Sequence, residues 1–99
     1  MIRAGEPPAI MDCHVHLWDI VRPAGLGWIK KDDKTLYRSF LPKDHEPIAR
    51  ANGVDSIIVV QAGQSLPDNQ WNLDITEHNP RLYRGVVGNL SEVIGTPAF

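Results

Sequence analysis

Asp12, His14 and His16 stand two residues apart in a short stretch, residues 9–15 and the residue after it, that follows Pro8 and holds no helix breaker. Alternate residues of a β-strand project to the same face and lie about 6.5–7 Å apart along the chain. The spacing therefore predicts Asp12, His14 and His16 on one face and Met11, Cys13 and Val15 on the other. Two imidazoles so placed at the mouth of a strand can both reach one divalent ion through bonds of about 2.0–2.1 Å, as zinc sites require. Asp12, one step deeper, is suited to accept the other ring N–H of such a histidine or to brace the loop beyond it. The plainer alternative is that His14 and His16 are polar strand-end residues with ordinary hydrogen bonds. Their place on the first strand of a β/α pattern, directly before a long loop, favours chemistry, because βα barrels carry their active sites where strands end and βα loops begin.

Two ligands do not complete a catalytic zinc site, which takes three protein groups and a water. The other histidines, His45 and His78, fall within or at the end of expected helices and read as solvated surface residues. Cys13 points away from the histidine pair by strand alternation and reads as a packed, inert thiol. Gln61 closes the second expected strand, where its amide could face a substrate or could tie down the Ala62-Gly63 turn. Trp18 and Asp19 follow the histidines closely enough to line the mouth, Trp18 supplying an apolar wall and one donor to a substrate. Trp28 and Trp71 read as packing residues. Ser65 reads as a helix cap, since the chain has no Gly-x-Ser-x-Gly turn to present a nucleophile.

The elements that must position these groups follow from patterning. Residues 17–41 lack periodicity and are broken by Pro23, Gly25 and Gly27, a loop longer than most unless it serves a function. Within it, Lys30-Lys31-Asp32-Asp33-Lys34 nearly neutralises itself and reads as a solvated turn. A helix is expected from Pro42, which suits a first turn, to Ala51, with Asn52-Gly53 as its stop and Pro47 early enough to be tolerated. Residues 54–61 are β-branched and apolar nearly throughout, the pattern of a strand buried on both faces. A second helix is expected over residues 66–78, begun by Ser65 with Asp68 three positions on, an imperfect capping box, and ended by Asn79-Pro80. Trp71, Leu73 and Ile75 are expected to face inward in part. A third strand is expected over residues 82–90, and Thr96-Pro97 would open a third helix. Strands alternating with helices imply a parallel sheet with right-handed crossovers. A chain that opens an element and stops reads as a truncated piece of a larger domain.

Ninety-nine residues, 42% hydrophobic and 22% charged, fit one ordinary globular domain at most. At this length folding hides a little over about 60% of the unfolded surface, so an independent core is marginal. Ten basic and twelve acidic residues give a net charge of −2, which argues against nucleic acid or an anionic membrane as partner. No apolar stretch approaches the about 20 residues of a membrane span, and residues 1–10 lack the apolar centre of a signal peptide. The single Cys13 cannot form an internal disulfide, and a cytoplasmic setting is expected.

Met11-Asp12-Cys13-His14-Val15-His16-Leu17-Trp18-Asp19 resembles the opening motif of the amidohydrolase-related family, in the branch of sugar lactonases such as fuconolactonase and rhamnonolactonase. The likeness continues through Tyr37-Arg38-Ser39-Phe40-Leu41-Pro42, Gly53-Val54-Asp55, Val59-Val60-Gln61-Ala62, Asp68-Asn69 with Trp71, and Arg84-Gly85-Val86-Val87-Gly88, so that it covers residues 9–90 in order and spacing. The resemblance implies a distorted (β/α)8 barrel, of which residues 1–99 would be the N-terminal part with the first three strands and two helices. It implies hydrolysis of a ring ester or amide, a small-molecule lactone as substrate, and one divalent metal, zinc before others. His14 and His16 match the family's first two metal-site positions and Asp12 the acid that precedes them. The later histidines and the aspartate of the last strand have no counterpart here, so the catalytic residues are expected beyond residue 99. Some members of the branch work without a metal and use the same histidines as substrate contacts. The implied chemistry is polarisation of a lactone carbonyl by a metal or by cationic side chains, with attack by a water that a carboxylate activates. Two other readings stay open: a small α/β domain that binds metal or a partner without catalysis, and a decarboxylase of the same superfamily.

Overall fold

The computed structural model describes residues 8–22, 27–63, 65–89 and 94–97. Five elements run in the order β1 (Met11–Val15), α1 (Pro42–Ala51), β2 (Ser56–Val60), α2 (Leu66–Glu77) and β3 (Tyr83–Val87). The strands form one sheet in the order β1-β2-β3, with both pairings parallel, as the alternation of strands and helices requires. Residues 94–97 form an exposed turn, and the helix expected from Thr96 otherwise falls on residues outside those described.

Local chemistry sets the ends of α1. Pro42 occupies the first turn, and the Asp44 carboxylate accepts the Leu41 backbone N–H at 2.9 Å. At the other end Gly53 adopts φ 71°, a left-handed conformation that favours glycine. Val54 N–H then reaches Ala49 O at 2.9 Å and Gly53 N–H reaches Arg50 O at 3.2 Å, the paired bonds of a Schellman ending. Pro47 lies inside the helix without ending it.

β2 is the centre of the core. Ile57 and Val59 are 0% exposed and pack with Val15, Leu17, Ala49 and Tyr83, with Trp71 and Ile75 against them. Full burial of side chains of this size stabilises by about 1.5–3 kcal/mol each. The alternate residues Ile58 and Val60 are only half-buried, because no described element covers that face of the sheet. The strand is therefore buried on one face, where its apolar run had suggested two.

α2 departs from expectation more sharply. Its buried residues are Asp68, Asn72 and Thr76, one polar stripe at four-residue spacing, while Leu73 is 51% exposed. Trp71 and Ile75 do face inward, but Leu73 does not. The stripe satisfies itself in part along the helix, with Asn72 Nδ2 donating to Asp68 O at 2.9 Å and Thr76 Oγ1 donating to Asn72 O at 2.8 Å. Ser65 holds the N-cap position without a side-chain capping bond, and Asp68 turns elsewhere.

At the start of β3, Tyr83 carries a polar handle into the core. Its hydroxyl donates to Glu46 Oε1 at 2.9 Å, and His78 Nε2 lies 3.3 Å from the same oxygen, so α1, the end of α2 and β3 meet at one carboxylate. Burial first, and then the hydrogen bond and charge of Glu46, push the Tyr83 phenol well above its ordinary range. The folded chain thus keeps a proton that the unfolded chain releases near pH 10, so this contribution is fully present below about pH 10 and is lost as pH rises beyond it. Urea unfolding should show wild-type stability falling above about pH 10, with Tyr83→Phe flatter over that range and about 1–2 kcal/mol less stable at neutral pH. Equal alkaline slopes for the two proteins would rule this account out.

Candidate functional site

Parallel pairing brings the C-terminal ends of all three strands to one rim, where His16, Gln61 and Asn89 lie one or two residues past them. His14 and His16 are both exposed there, with ring centroids 4.9 Å apart and planes at 78°. His16 Nδ1 lies 2.9 Å from the Val60 carbonyl oxygen. That carbonyl can only accept, so Nδ1 carries a proton, and in the neutral ring Nε2 is then the nitrogen with the free lone pair, the arrangement in which a histidine binds metal.

β1 does not alternate strictly. Asp12 pairs with Ile57 and Val15 with Val59, so three residues of advance on β1 meet two on β2. Beyond this irregularity Val15 and Leu17 turn into the core, and His14 and His16 share the open side. Asp12, paired with Ile57 of the core-facing row, lies across the slip from them. Its Oδ1 accepts the His14 backbone N–H at 3.2 Å, so the carboxylate braces the irregular strand and does not take a histidine ring N–H. Cys13 is exposed, contrary to the packed thiol that strand alternation implied, because β1 is an edge strand whose outer face has no described cover.

Of the two roles open to Gln61, the structure shows the tie. Its side chain is buried, Nε2 donates to Ser65 O at 2.8 Å, and Oε1 accepts Asn89 N–H at 2.6 Å. The amide thereby joins the turn after β2 to the end of β3, which leaves it unsuited to the substrate contact also expected of it. Asn69 adds to the tie, donating from Nδ2 to Asn89 O at 2.9 Å.

Trp18 is a structural residue first. It is buried, its Nε1–H donates to Arg38 O at 2.7 Å, and its backbone bridges that of Phe40 in both directions. Its ring packs on Phe40 at 4.7 Å and meets Trp28 edge-on at 5.9 Å. The expected donor to a substrate is thus already used, while the ring does border a cavity of about 260 Å³ that also reaches His16, Arg38, Phe40 and His45. His45 is half-buried there, with a buried Nε2 that has no partner, so the surface reading holds for His78 and fails for His45.

The long β1–α1 loop is organised by contacts that patterning did not reveal. Arg22 pairs with Asp68 at the start of α2 and its guanidinium lies 4.9 Å from the Trp71 ring centre. Trp28 Nε1–H donates to Ala62 O at 3.0 Å. A Cβ built on Gly63 would coincide with the Asp68 carboxylate, so glycine is required there by close approach. The sequence carried no signal for this, since Asp68 three positions after Ser65 reads there as a capping acid.

Among the described residues no group of three or more His, Cys, Asp or Glu is placed to hold a metal ion. His14 and His16 fit the role of two ligands by donor type, proximity and the free Nε2 of His16. No helix of the described residues is long and apolar enough to cross a membrane.

Comparison with known proteins gives this geometry a context. No family model matches the chain. It is 32% identical over 65 residues to an L-fucono-1,5-lactonase of Burkholderia ambifaria, a match that covers 66% of this chain and 22% of that protein. It superposes with a TM-score of 0.71 and 28% identity on an amidohydrolase of Burkholderia multivorans with bound zinc, covering 83% of this chain and 28% of the other. These matches support a lactonase-like family of the amidohydrolase superfamily, over only part of each relative. A structure of a Burkholderia multivorans amidohydrolase with bound HEPES gives the same TM-score and coverage. The chain spans less than a third of the length of these relatives.

The close approach at Gly63 is open to test. Gly63→Ala should displace Asp68 from Arg22 and cost about 1–3 kcal/mol, the usual penalty for overpacking a filled site. Urea denaturation measures the loss, and wild-type stability in Gly63→Ala would show that the turn has room after all.

Proposed function

We propose that residues 1–99 form the N-terminal part of one amidohydrolase-related domain, the first three strands and two helices of a (β/α)8 barrel that opens a sugar lactone by hydrolysis. The observation that carries the reading is the exposed His14–His16 pair at the C-terminal rim of a parallel sheet, with His16 fixed by the Val60 carbonyl. The likeness to a fuconolactonase in sequence and to a zinc-bound amidohydrolase in three dimensions supports the same class. In this reading His14 and His16 are two ligands to a divalent ion, zinc by preference. When bound, such an ion polarises a carbonyl oxygen and lowers the proton affinity of water. His16 holds its orientation through Val60, Asp12 holds the backbone of His14, and Trp18 walls the approach with its ring. The general base and remaining ligands belong to strands that this chain does not supply.

The test uses the protein encoded by the complete reading frame, assayed on L-fucono-1,5-lactone and related sugar lactones with and without a chelator. His14→Ala and His16→Ala should each lower kcat/KM by more than about 100-fold, since even residues that only orient metal ligands cost about 10–100-fold. Both side chains are exposed, so stability should stay within about 0.5 kcal/mol of wild type. Full activity in both variants would dispose of the assignment, and turnover of unsaturated carboxylic acids in place of lactones would move the protein to decarboxylase chemistry.

A second reading, a small α/β domain that binds metal or a partner without catalysis, draws on the lack, among the described residues, of any group of three His, Cys, Asp or Glu placed to hold a metal. The open sheet face separates the two. Val87 and Met11 are more than half exposed and Ile58 and Val60 are half-buried, so the 99-residue chain alone should self-associate in sedimentation experiments and show no lactonase activity. A monodisperse monomer that unfolds cooperatively would favour the independent domain.

A further inference from the structure

Between the β1–α1 loop and the first turns of α2 lies a chamber of about 10 Å³, bordered by Asp19, Arg22, Gly63, Asp68 and Asn72. That volume is about what a single water needs, and a bound water also needs two to four polar partners. Its polar lining sets the carboxylates of Asp19 and Asp68 and the amide of Asn72 beside the guanidinium of Arg22, with Leu17, Trp18, Ala62 and Trp71 as the other walls. Asp19 Oδ1 already accepts from Val21 N–H at 3.2 Å and Ser39 Oγ–H at 2.9 Å, and Asp68 Oδ1 is taken by Arg22. Asn72 is 1% exposed, its Nδ2 is committed to Asp68 O, and its Oδ1 is buried without a partner. Leaving such an oxygen unpaired is costly, and buried polar atoms in folded chains are nearly always satisfied by protein or by water. Two carboxylates against one guanidinium further favour an occupant that presents hydrogens.

We propose that this chamber binds one ordered water that donates one hydrogen to Asn72 Oδ1 and the other to a carboxylate oxygen of Asp19 or Asp68. The water completes the polar contact between the β1–α1 loop and α2, beside the Arg22–Asp68 pair and independently of the histidine rim. Asn72 is thus the buried end of a solvent site, which explains why α2 turns an amide inward where an apolar residue would pack.

A crystal structure of the wild-type protein at a resolution that shows ordered solvent should place one peak within about 2.7–3.2 Å of Asn72 Oδ1. The same peak should vanish in Asn72→Leu, which has similar volume and no acceptor, and a thallium soak should leave no anomalous signal there. Magnetic relaxation dispersion should count one long-lived internal water fewer in the variant than in wild type. An empty chamber in the wild type, an Asn72 amide satisfied directly by Arg22, or a thallium peak marking a monovalent cation would each overturn the proposal. The wild-type density decides the matter even if Asn72→Leu does not fold.

Discussion

The site depends on the central position of β2. Its backbone pairs on both sides, its core-facing side chains are fully buried, and its last residues hold the rim together. Val60 offers its carbonyl to His16 on one side, and Gln61 takes the Asn89 N–H on the other while reaching back to Ser65. Two consecutive residues therefore fix the ends of both neighbouring strands and the turn between β2 and α2. A shift of β2 by one residue would exchange its core row for its open row and break these ties together.

Around that centre the chain uses polar contacts where a small sheet lacks apolar cover. α2 presents Asp68, Asn72 and Thr76 to the interior, and Tyr83 brings a hydroxyl to Glu46. Each of these groups is costly to bury unless it is paired, so their contacts impose specificity on helix placement as much as stability. Arg22 and Asp68 extend the principle to the loop. A segment without regular structure gains a fixed course because one guanidinium neutralises a buried carboxylate and lies over the Trp71 ring.

Most of the architecture was legible because punctuation and patterning agree in this chain. Pro42, Asn52-Gly53 and Asn79-Pro80 bracket the helices closely, and the apolar β-branched run marks β2. The histidine pair was also legible, since its spacing survives in the fold. What patterning missed has physical causes. Strand alternation placed Asp12 with the histidines, but the irregular pairing of β1 moves it to another row. Leu73 points outward because the inward stripe of α2 is polar, which hydrophobic periodicity does not detect. The tie of Gln61 to the turn that follows it was one of two roles open in the sequence, and what decided between them was Asn89, a partner 28 residues on that leaves no local trace.

The parallel direction of the sheet also governs how it can grow. Among the described residues β1 and β3 each have one unpaired side. A strand that continues the sheet in the same sense must arrive through a crossover and not a hairpin, because parallel neighbours cannot be joined by a tight turn. Each such strand would end at the rim where His16 already stands. The sheet is therefore a directional template: every parallel addition delivers its terminal side chain to one common opening, whichever edge it joins.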